Sequence, residues 1–508
     1  MTIIIITIVC YLALMVGIGI AFSRKNKDVG DFYLGGRKLG PIVTAMSAEA
    51  SDMSSYLLMG LPGLAYLCGC AEVGWTVIGL AIGTYLNWLI VAKRLRLYSH
   101  RCGAITIPDF FAKRYREDKN ILLGVSALII LIFFIPYTAS GFSACGKLFE
   151  QLFGWDYHVA MLISAAIIIL YTSIGGFLAA STTDLIQSIV MTAALIIVVV
   201  FGVSNAGGID NIIENAKSLN GYLTLFENHN SDGTASPYDA LTIASTLAWG
   251  LGYFGMPHIL LRFMAIKDHK KIKFSRRIAS VWVVISMFVA IFIGIIGNAL
   301  SKNGIIDTLG TSSESETVII KIAFFMSEHG AVLAIFAGLI FAGILACTMS
   351  TADSQLLAAS SSASENILKG VFKVKLTEKQ SMIIARGILL VIAVIAAIIA
   401  WDKDSSIFRV VSFAWAGFGA TFGPVMLLAL FWKRSNKWGA VAGMAVGGVM
   451  VFVWKFVLNP LGGLFSIYEL LPAFLLALAA DVMVSLLTNE PEKAVLDEFE
   501  AVRADVKN

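Results

Sequence analysis

Three stretches of this chain place small, hydroxylated and acidic residues where their surroundings are apolar. The first is Ser47-Ala48-Glu49-Ala50-Ser51-Asp52-Met53-Ser54-Ser55-Tyr56, followed by Gly60-Leu61-Pro62-Gly63. A carboxylate or a run of hydroxyls within a bilayer is costly and marks a functional position by default. If the helix unwinds there, its freed carbonyls suit a hard cation. The half-helix beyond would then present its N-terminus to an anionic group. A plainer reading packs the helix through its small residues, with Asp52 paired to a nearby base. That accounts for Ala48, Ala50 and Gly60 and leaves the acid unexplained.

The second stretch is Trp249-Gly250-Leu251-Gly252-Tyr253-Phe254-Gly255-Met256-Pro257-His258. Three glycines and a proline would break a helix here. Trp249 and Tyr253, four residues apart, would share one face as walls of a small-solute pocket. An ordinary proline kink with lipid-facing aromatics is the alternative. The third stretch, Ala346-Cys347-Thr348-Met349-Ser350-Thr351-Ala352-Asp353-Ser354-Gln355, falls at the inner end of an apolar run. The hydroxyls of Ser350 and Thr351, with freed carbonyls, suit a small hard ion that must also leave again. The same polar run also reads as a helix leaving the membrane. Soft ligands that would select a transition metal are missing, because the six cysteines are scattered and the six histidines lack metal-ligand spacing.

Such stretches need a membrane scaffold, and the composition supplies one. Of 508 residues, 58% are hydrophobic and 14% charged, whereas about a quarter are charged in ordinary soluble domains. Apolar runs of about 20 residues recur along the chain, each long enough to cross the hydrocarbon layer. About thirteen crossings are expected, from 2–22, 40–60 and 68–92 to 437–457 and 467–487. The first run lacks a basic leader and reads as a retained span. Alternate connections are basic, among them Arg24, Lys25 and Lys27, then Lys93, Arg94 and Arg96, then Lys270, Lys271 and Lys273. The intervening ones are acidic or mixed, so the N-terminus is expected outside and the C-terminus inside.

Residues 1–487 are expected to form one transmembrane domain with an external loop at 206–238, and 488–508 a cytoplasmic tail. Pro108–Arg114 reads as a short interfacial helix with aromatics on one side and bases on the other. The two interrupted spans lie five apart, as an inverted repeat of five plus five helices would place them, with halves of about 40–205 and 239–431. The net charge of +4 is scattered between helices and makes no case for nucleic acid. An enzyme would need a nucleophile–base set or a metal cluster, which the chain does not offer, and no obligatory protein partner is evident.

Taken together, these segments resemble the sodium:solute symporter family, and its proline transporters in particular. The resemblance rests on Leu34-Gly35-Gly36-Arg37, Ser51-Asp52-Met53-Ser54, Thr106-Ile107-Pro108-Asp109-Phe110, Gly250-Leu251-Gly252-Tyr253-Phe254-Gly255, Met349-Ser350-Thr351 and Trp415-Ala416-Gly417-Phe418-Gly419. It implies an all-α, LeuT-like inverted repeat with extra peripheral helices in a bacterial plasma membrane. The implied activity is import of L-proline on the inward sodium gradient, with sodium the only ion required. The implied sodium position lies between the carbonyls of Ala50 and Met53 and the groups of Cys347, Ser350 and Thr351, with Asp52 and Ser54 linked to it. Solute would sit beside Tyr56, Tyr137, Trp249, Tyr253 and Met256. Asp184 matches a second sodium site of some relatives, where Asp353 and Ser354 either join it or bond to solvent. Proline transporters carry Gly-Trp where this chain has Ser55-Tyr56, and Gln where it has Met256. Another amino acid or pantothenate is therefore the rival solute.

Overall fold

The computed structural model describes residues 1–23 and 28–507; the basic residues Arg24, Lys25 and Lys27 lie outside them. Ten helices among the described residues are long and apolar enough to cross a membrane. The main helices are α1 (Thr2–Ser23), α2 (Pro41–Ser55), α3 (Leu61–Cys68), α4 (Ala71–Leu86), α5 (Ile121–Phe153), α6 (Tyr157–Asn205), α7 (Ala240–Leu247) and α8 (Pro257–Ala265). They continue with α9 (Ile272–Lys302), α10 (Ala331–Ser361), α11 (Glu378–Ile399), α12 (Ile407–Phe431), α13 (Lys437–Val453), α14 (Leu470–Leu487) and α15 (Lys493–Lys507).

Burial separates centre from rim. In α12 83% of the apolar stretch is buried, whereas in the segment containing α13 only 22% is, so the latter faces lipid. Helix α10 packs against α6, α5 and α2, and α2 also packs against α6, α8 and α9. The centre is thus built from the helices that carry the polar stretches. Small residues let these backbones approach without a hydrophobic driving force, which lipid does not supply.

Two membrane segments are broken in the middle. The first runs through α2, a π-helical turn at Tyr56–Gly60, and α3. The second runs through α7, a 3-10 stretch at Ala248–Phe254, and α8. Helix α6 has 49 residues and turns sharply at Gly176 (φ 65, ψ −170). At 1.5 Å per residue it would measure about 74 Å, more than twice a hydrocarbon core of about 30 Å.

Several boundaries differ from the sequence expectations. The polar run of α10 does not end a span. The helix continues to Ser361 with its hydroxyls bonded back to carbonyls one turn earlier, Thr348 Oγ1 to Ile344 (2.9 Å) and Ser354 Oγ to Ser350 (2.9 Å). That back-bonding satisfies each hydroxyl without leaving the helix. The interfacial helix forms at Ile107–Arg114, capped by Thr106, and Phe110 and Phe111 are buried. Its bases do not share the wet side, because Arg114 is buried and donates Nε to the Ala429 carbonyl at 2.9 Å. The 206–238 segment holds a helix at Ile209–Lys217 and a hairpin pairing Glu227–His229 with Ala235–Pro237. The terminal tail is itself a helix, α15, seated through Val495, Phe499 and Val502.

Candidate functional site

Helix α2 starts cleanly at Gly40-Pro41, where a proline costs no hydrogen bond. It ends at Ser54, whose backbone stands at φ 47, ψ −169. This is territory that glycine alone enters freely. Ser54 Oγ accepts the amide of Tyr56 at 3.1 Å, and that amide also reaches the carbonyls of Met53 and Ser54. A non-glycine residue is thus pinned at a strained break in the middle of a buried segment.

Across from this break stands α10. Ser350 Oγ donates to the Ala50 carbonyl at 2.8 Å and lies 3.1 Å from the Cys347 carbonyl. Thr351 Oγ1 donates to the same Cys347 carbonyl at 3.2 Å. All four residues are buried. The structure therefore brings Ala50, Cys347, Ser350 and Thr351 together as an all-oxygen donor set of carbonyls and hydroxyls, the kind a hard monovalent cation takes. Met53 lies at the break one turn beyond Ala50, beside Asp52 on the cavity described next.

Asp52 holds the junction of the two broken segments. Its Oδ2 accepts the Tyr253 hydroxyl at 2.5 Å, and its carbonyl accepts the Tyr137 hydroxyl at 3.4 Å. Among the described residues Asp52 bonds hydroxyls and not a base, so the plainer reading that paired it with a base does not hold. Asp52 also lines a tight, nearly closed pocket between the two broken segments, alongside Met53. Tyr56, Tyr137, Trp249 and Trp415 give it aromatic walls, and Leu80, Met287 and Val411 complete it. Tyr56 stacks on Trp249 (5.9 Å, 25°), which stacks in turn on Tyr468 (5.0 Å, 18°). Phe408 leans on both Tyr56 and Trp249, 5.8 and 5.7 Å away. Flat apolar walls above a carboxylate suit a small solute with an apolar body and a charged end.

Two expected members stand behind the wall. Tyr253 does not share a face with Trp249, because a 3-10 stretch turns 3 residues per turn and swings positions four apart by ~120°. Its ring meets Trp415 edge-on (5.1 Å, 87°) and its hydroxyl serves Asp52. Met256 is fully buried at the start of α8 in an extended conformation, outside the cavity lining.

Asp184, Asp353 and Ser354 also meet. Asp184 Oδ2 accepts Ser47 Oγ at 2.6 Å and Ser51 Oγ at 3.2 Å. Ser354 Oγ lies 3.0 Å from both Asp353 Oδ1 and Ser51 Oγ. The family resemblance left open here either a second cation site or bonding to solvent, and the structure adds a guanidinium to the cluster. Arg262 Nη2 reaches Asp184 Oδ2 at 3.2 Å and Ser354 Oγ at 2.5 Å.

Trp415, Arg262 and Glu49 are participants that sequence reasoning did not place. Trp415 donates Nε1 to the Trp249 carbonyl at 2.8 Å, fixing the second break from α12. Glu49 is buried and accepts Trp88 Nε1 at 2.9 Å. Charged residues inside apolar segments were a signal for Glu49 and Arg262; Val411 and Met287 carry none, since an apolar wall looks like any core position.

Comparison with known proteins identifies the family and the fold. The family model described as "Sodium:solute symporter family" matches residues 32–447. The chain is 41% identical over 493 residues to the osmoregulated proline transporter OpuE of Bacillus subtilis, covering 97% of this chain and 96% of that protein. It is 42% identical over 503 residues to a sodium/proline symporter of Haemophilus influenzae, covering 97% and 96%. Among solved structures, a Na+-coupled sialic acid symporter in a substrate-bound outward-open state superposes with a TM-score of 0.78 at 19% identity, over 97% of this chain and 99% of that one. MhsT in complex with L-phenylalanine gives 0.55 at 13% identity, over 88% and 99%. These structures share the fold.

Proposed function

The chain belongs to the sodium:solute symporter family, and from that premise we propose that it imports L-proline by alternating access, driven by the inward sodium gradient. It is a multi-pass membrane transporter of a small solute and not an enzyme. One observation carries the finer reading: ion and solute positions share a single unwound segment. The Ala50 carbonyl faces Ser350, and two residues later Asp52 lines the aromatic cavity. A cation settling against Ala50, Met53, Cys347, Ser350 and Thr351 would fix the break, and with it the carboxylate and walls that receive the solute. Ion and solute then favour the same conformation, which is what coupling requires. Asp52 and Ser54 act in this reading by shaping the break, and Tyr253 by orienting Asp52.

The architecture fits the proposed inverted repeat. Counting bent α6 as two crossings adds one to the ten long helices, and the two broken segments add two, giving thirteen crossings. With an odd number, basic connections fall on one side, which we assign to the cytoplasm together with α15. Proline suits the cavity because its ring is apolar and its carboxylate and amine are charged. A second reading, symport of another small carboxylate-bearing solute such as pantothenate or another amino acid, is favoured by Tyr56. That residue stands in the cavity wall where proline transporters carry Trp.

Uptake of radiolabelled L-proline into proteoliposomes, with and without a sodium gradient, tests both parts. Accumulation should require inward sodium and resist excess pantothenate. Equal accumulation on a pH gradient in sodium-free buffer would refute sodium coupling, and loss of the signal to a competing solute would transfer the assignment to that solute.

A further inference from the structure

Arg276 is a half-buried base with no acid beside it. It lies one turn into α9, after a connection that carries Lys267, Lys270 and Lys271. The one acid of that connection, Asp268, already accepts the Lys270 amide at 2.9 Å. Among the described residues no carboxylate stands within ion-pair distance of Arg276. Its guanidinium lies 5.1 Å over the ring centre of Tyr85 on α4, and its Nε is buried with no hydrogen-bond partner. One turn further along α9, Ser280 Oγ is also buried and unpartnered. Another serine of the same helix, Ser286, bonds back to the Val283 carbonyl at 3.2 Å, as a helical hydroxyl ordinarily does.

The face that carries these groups runs on into lipid. Lys273, Arg276, Arg277 and Ser280 follow at helical spacing, and Lys273 and Arg277 are exposed. Val281, Val284, Ile285 and Phe288 extend the same face and are exposed as well. On α4, which packs against α9, Ile78, Ile82, Tyr85 and Leu86 form a matching exposed stripe. Bases at a helix end commonly snorkel outward to water. Lys273 and Arg277 fit that account. Arg276 does not, because it is laid sideways across the neighbouring helix. From the basic end inward, the groove between the two helices offers cations, then a free hydroxyl, then apolar surface. A phospholipid has its parts in that order: phosphate, ester-linked glycerol, acyl chains.

We infer that the groove between α4 and α9 binds one anionic phospholipid from the leaflet bordering the basic connections. Arg276 turns its planar fork to the phosphate, and Lys273 and Arg277 add charge around the head group. Ser280 Oγ serves the ester region, and the acyl chains lie along the two exposed stripes. The inner sides of the same helices carry Leu80 and Met287 into the wall of the solute pocket. The lipid thus ties together, from outside, two helices that shape the site from within. Neither the ion nor the solute enters this inference, so it stands apart from the symport reading.

The test is native mass spectrometry of the purified, delipidated protein in detergent, titrated with dioleoyl phosphatidylglycerol and, separately, with zwitterionic dioleoyl phosphatidylcholine. Wild type should take up a first phosphatidylglycerol at least about fivefold more tightly than phosphatidylcholine, the discrimination expected of one well-placed base. Arg276→Gln should lose about fivefold in affinity for phosphatidylglycerol and keep its affinity for phosphatidylcholine. Lys375→Gln, which removes an exposed base elsewhere, should change neither. Equal phosphatidylglycerol binding in wild type and Arg276→Gln overturns the inference, and so does an equal loss in Lys375→Gln, which would mean diffuse attraction. Displacement of the lipid by millimolar inorganic phosphate also overturns it, because the groove would then be a site for a free anion. If Arg276→Gln does not fold, Tyr85→Leu decides. Loss of the ring under the guanidinium should weaken phosphatidylglycerol binding about twofold, and unchanged binding overturns the inference.

Discussion

The two broken segments do the same architectural job by different means. In the first, the break is a single strained residue. Among the described residues of both segments, Ser54 alone has a positive φ. In the second, Gly250, Gly252 and Gly255 all keep negative φ, and the chain turns at extended Met256 before Pro257. Those glycines are there for approach, not for dihedral freedom. A Cβ on Gly250 would strike the Gly79 carbonyl, one on Gly252 the Trp415 indole, and one on Gly255 the Phe418 carbonyl. The first break is thus a strained conformation holding polar atoms, and the second a close-packed joint holding aromatic walls. Strain of this kind persists at functional sites because the surroundings over-determine it, while close packing tolerates no added volume.

The largest effect should come from filling the joint. Gly255→Ala would push a methyl into the Phe418 carbonyl and to 2.9 Å from the Gly423 amide, both rigid backbone. Overpacking costs about 1–3 kcal/mol even where side chains can yield, and here they cannot. The variant should be nearly absent from the monodisperse fraction after detergent extraction. Normal yield with normal uptake would mean that the joint is loose and that the comparison is misdrawn.

This contrast also marks what the sequence made legible. Apolar run length gave the membrane class, because hydrophobic thickness is written directly into composition, while polar residues in one span and glycines with a proline in another gave the position of both breaks. The polar residues Asp52, Ser350 and Thr351 stood out because apolar surroundings make them costly. The break at the glycines was legible, but a helix-disfavouring residue does not reveal whether it serves dihedral freedom or close approach. The wrong reading came from local geometry. Trp249 and Tyr253 were put on one face because an α-helical period was assumed where a 3-10 stretch forms. Arg262 entered the Asp184 cluster from a segment 78 residues away, a contact that only the tertiary fold creates.

The aromatic wall supplies the next prediction. Trp249→Ala removes the surface on which Tyr56 and Tyr468 stack, and proline affinity should fall by about 1–3 kcal/mol. Tyr253→Ala should weaken binding less through lost wall area than through release of Asp52. Tyr253→Phe should therefore reproduce most of its effect, because only the hydroxyl reaches the carboxylate. Calorimetric binding of proline to the purified variants separates these routes. Wild-type affinity in both Trp249→Ala and Tyr253→Ala would move the solute site elsewhere.

On the polar side, Ser350→Ala and Thr351→Ala each take one oxygen from the group around Ala50 and Cys347. Nothing inside the protein replaces that oxygen cheaply, so the sodium required for half-maximal uptake should rise by the equivalent of about 1–2 kcal/mol. Membrane insertion should be unchanged, since both side chains also fit a helix as alanine. Unaltered sodium dependence in both variants would leave the polar stretch of α10 as helix packing only.

The smallest stability change should come from Ser54→Gly, which sharpens the comparison most. Glycine enters φ 47, ψ −169 freely, so the substitution relieves about 1–3 kcal/mol of backbone strain. Against this, it removes the Ser54 Oγ bond to the Tyr56 amide, worth about 0.5–1.5 kcal/mol. It also adds about 0.5–1 kcal/mol of chain entropy lost on folding. The two sides nearly cancel, so the thermal midpoint should move little. Transport should not cancel in the same way. A glycine break is no longer held to one geometry, and the freed Met53 and Ser54 carbonyls would sample positions that a bound cation must then pay to restrict. Sodium-driven uptake should fall while the melting curve stays near that of wild type. If both stay unchanged, the strain at Ser54 has no role in coupling. If stability collapses, the Oγ bond rather than the dihedral maintains the break, and the first segment is packed as tightly as the second.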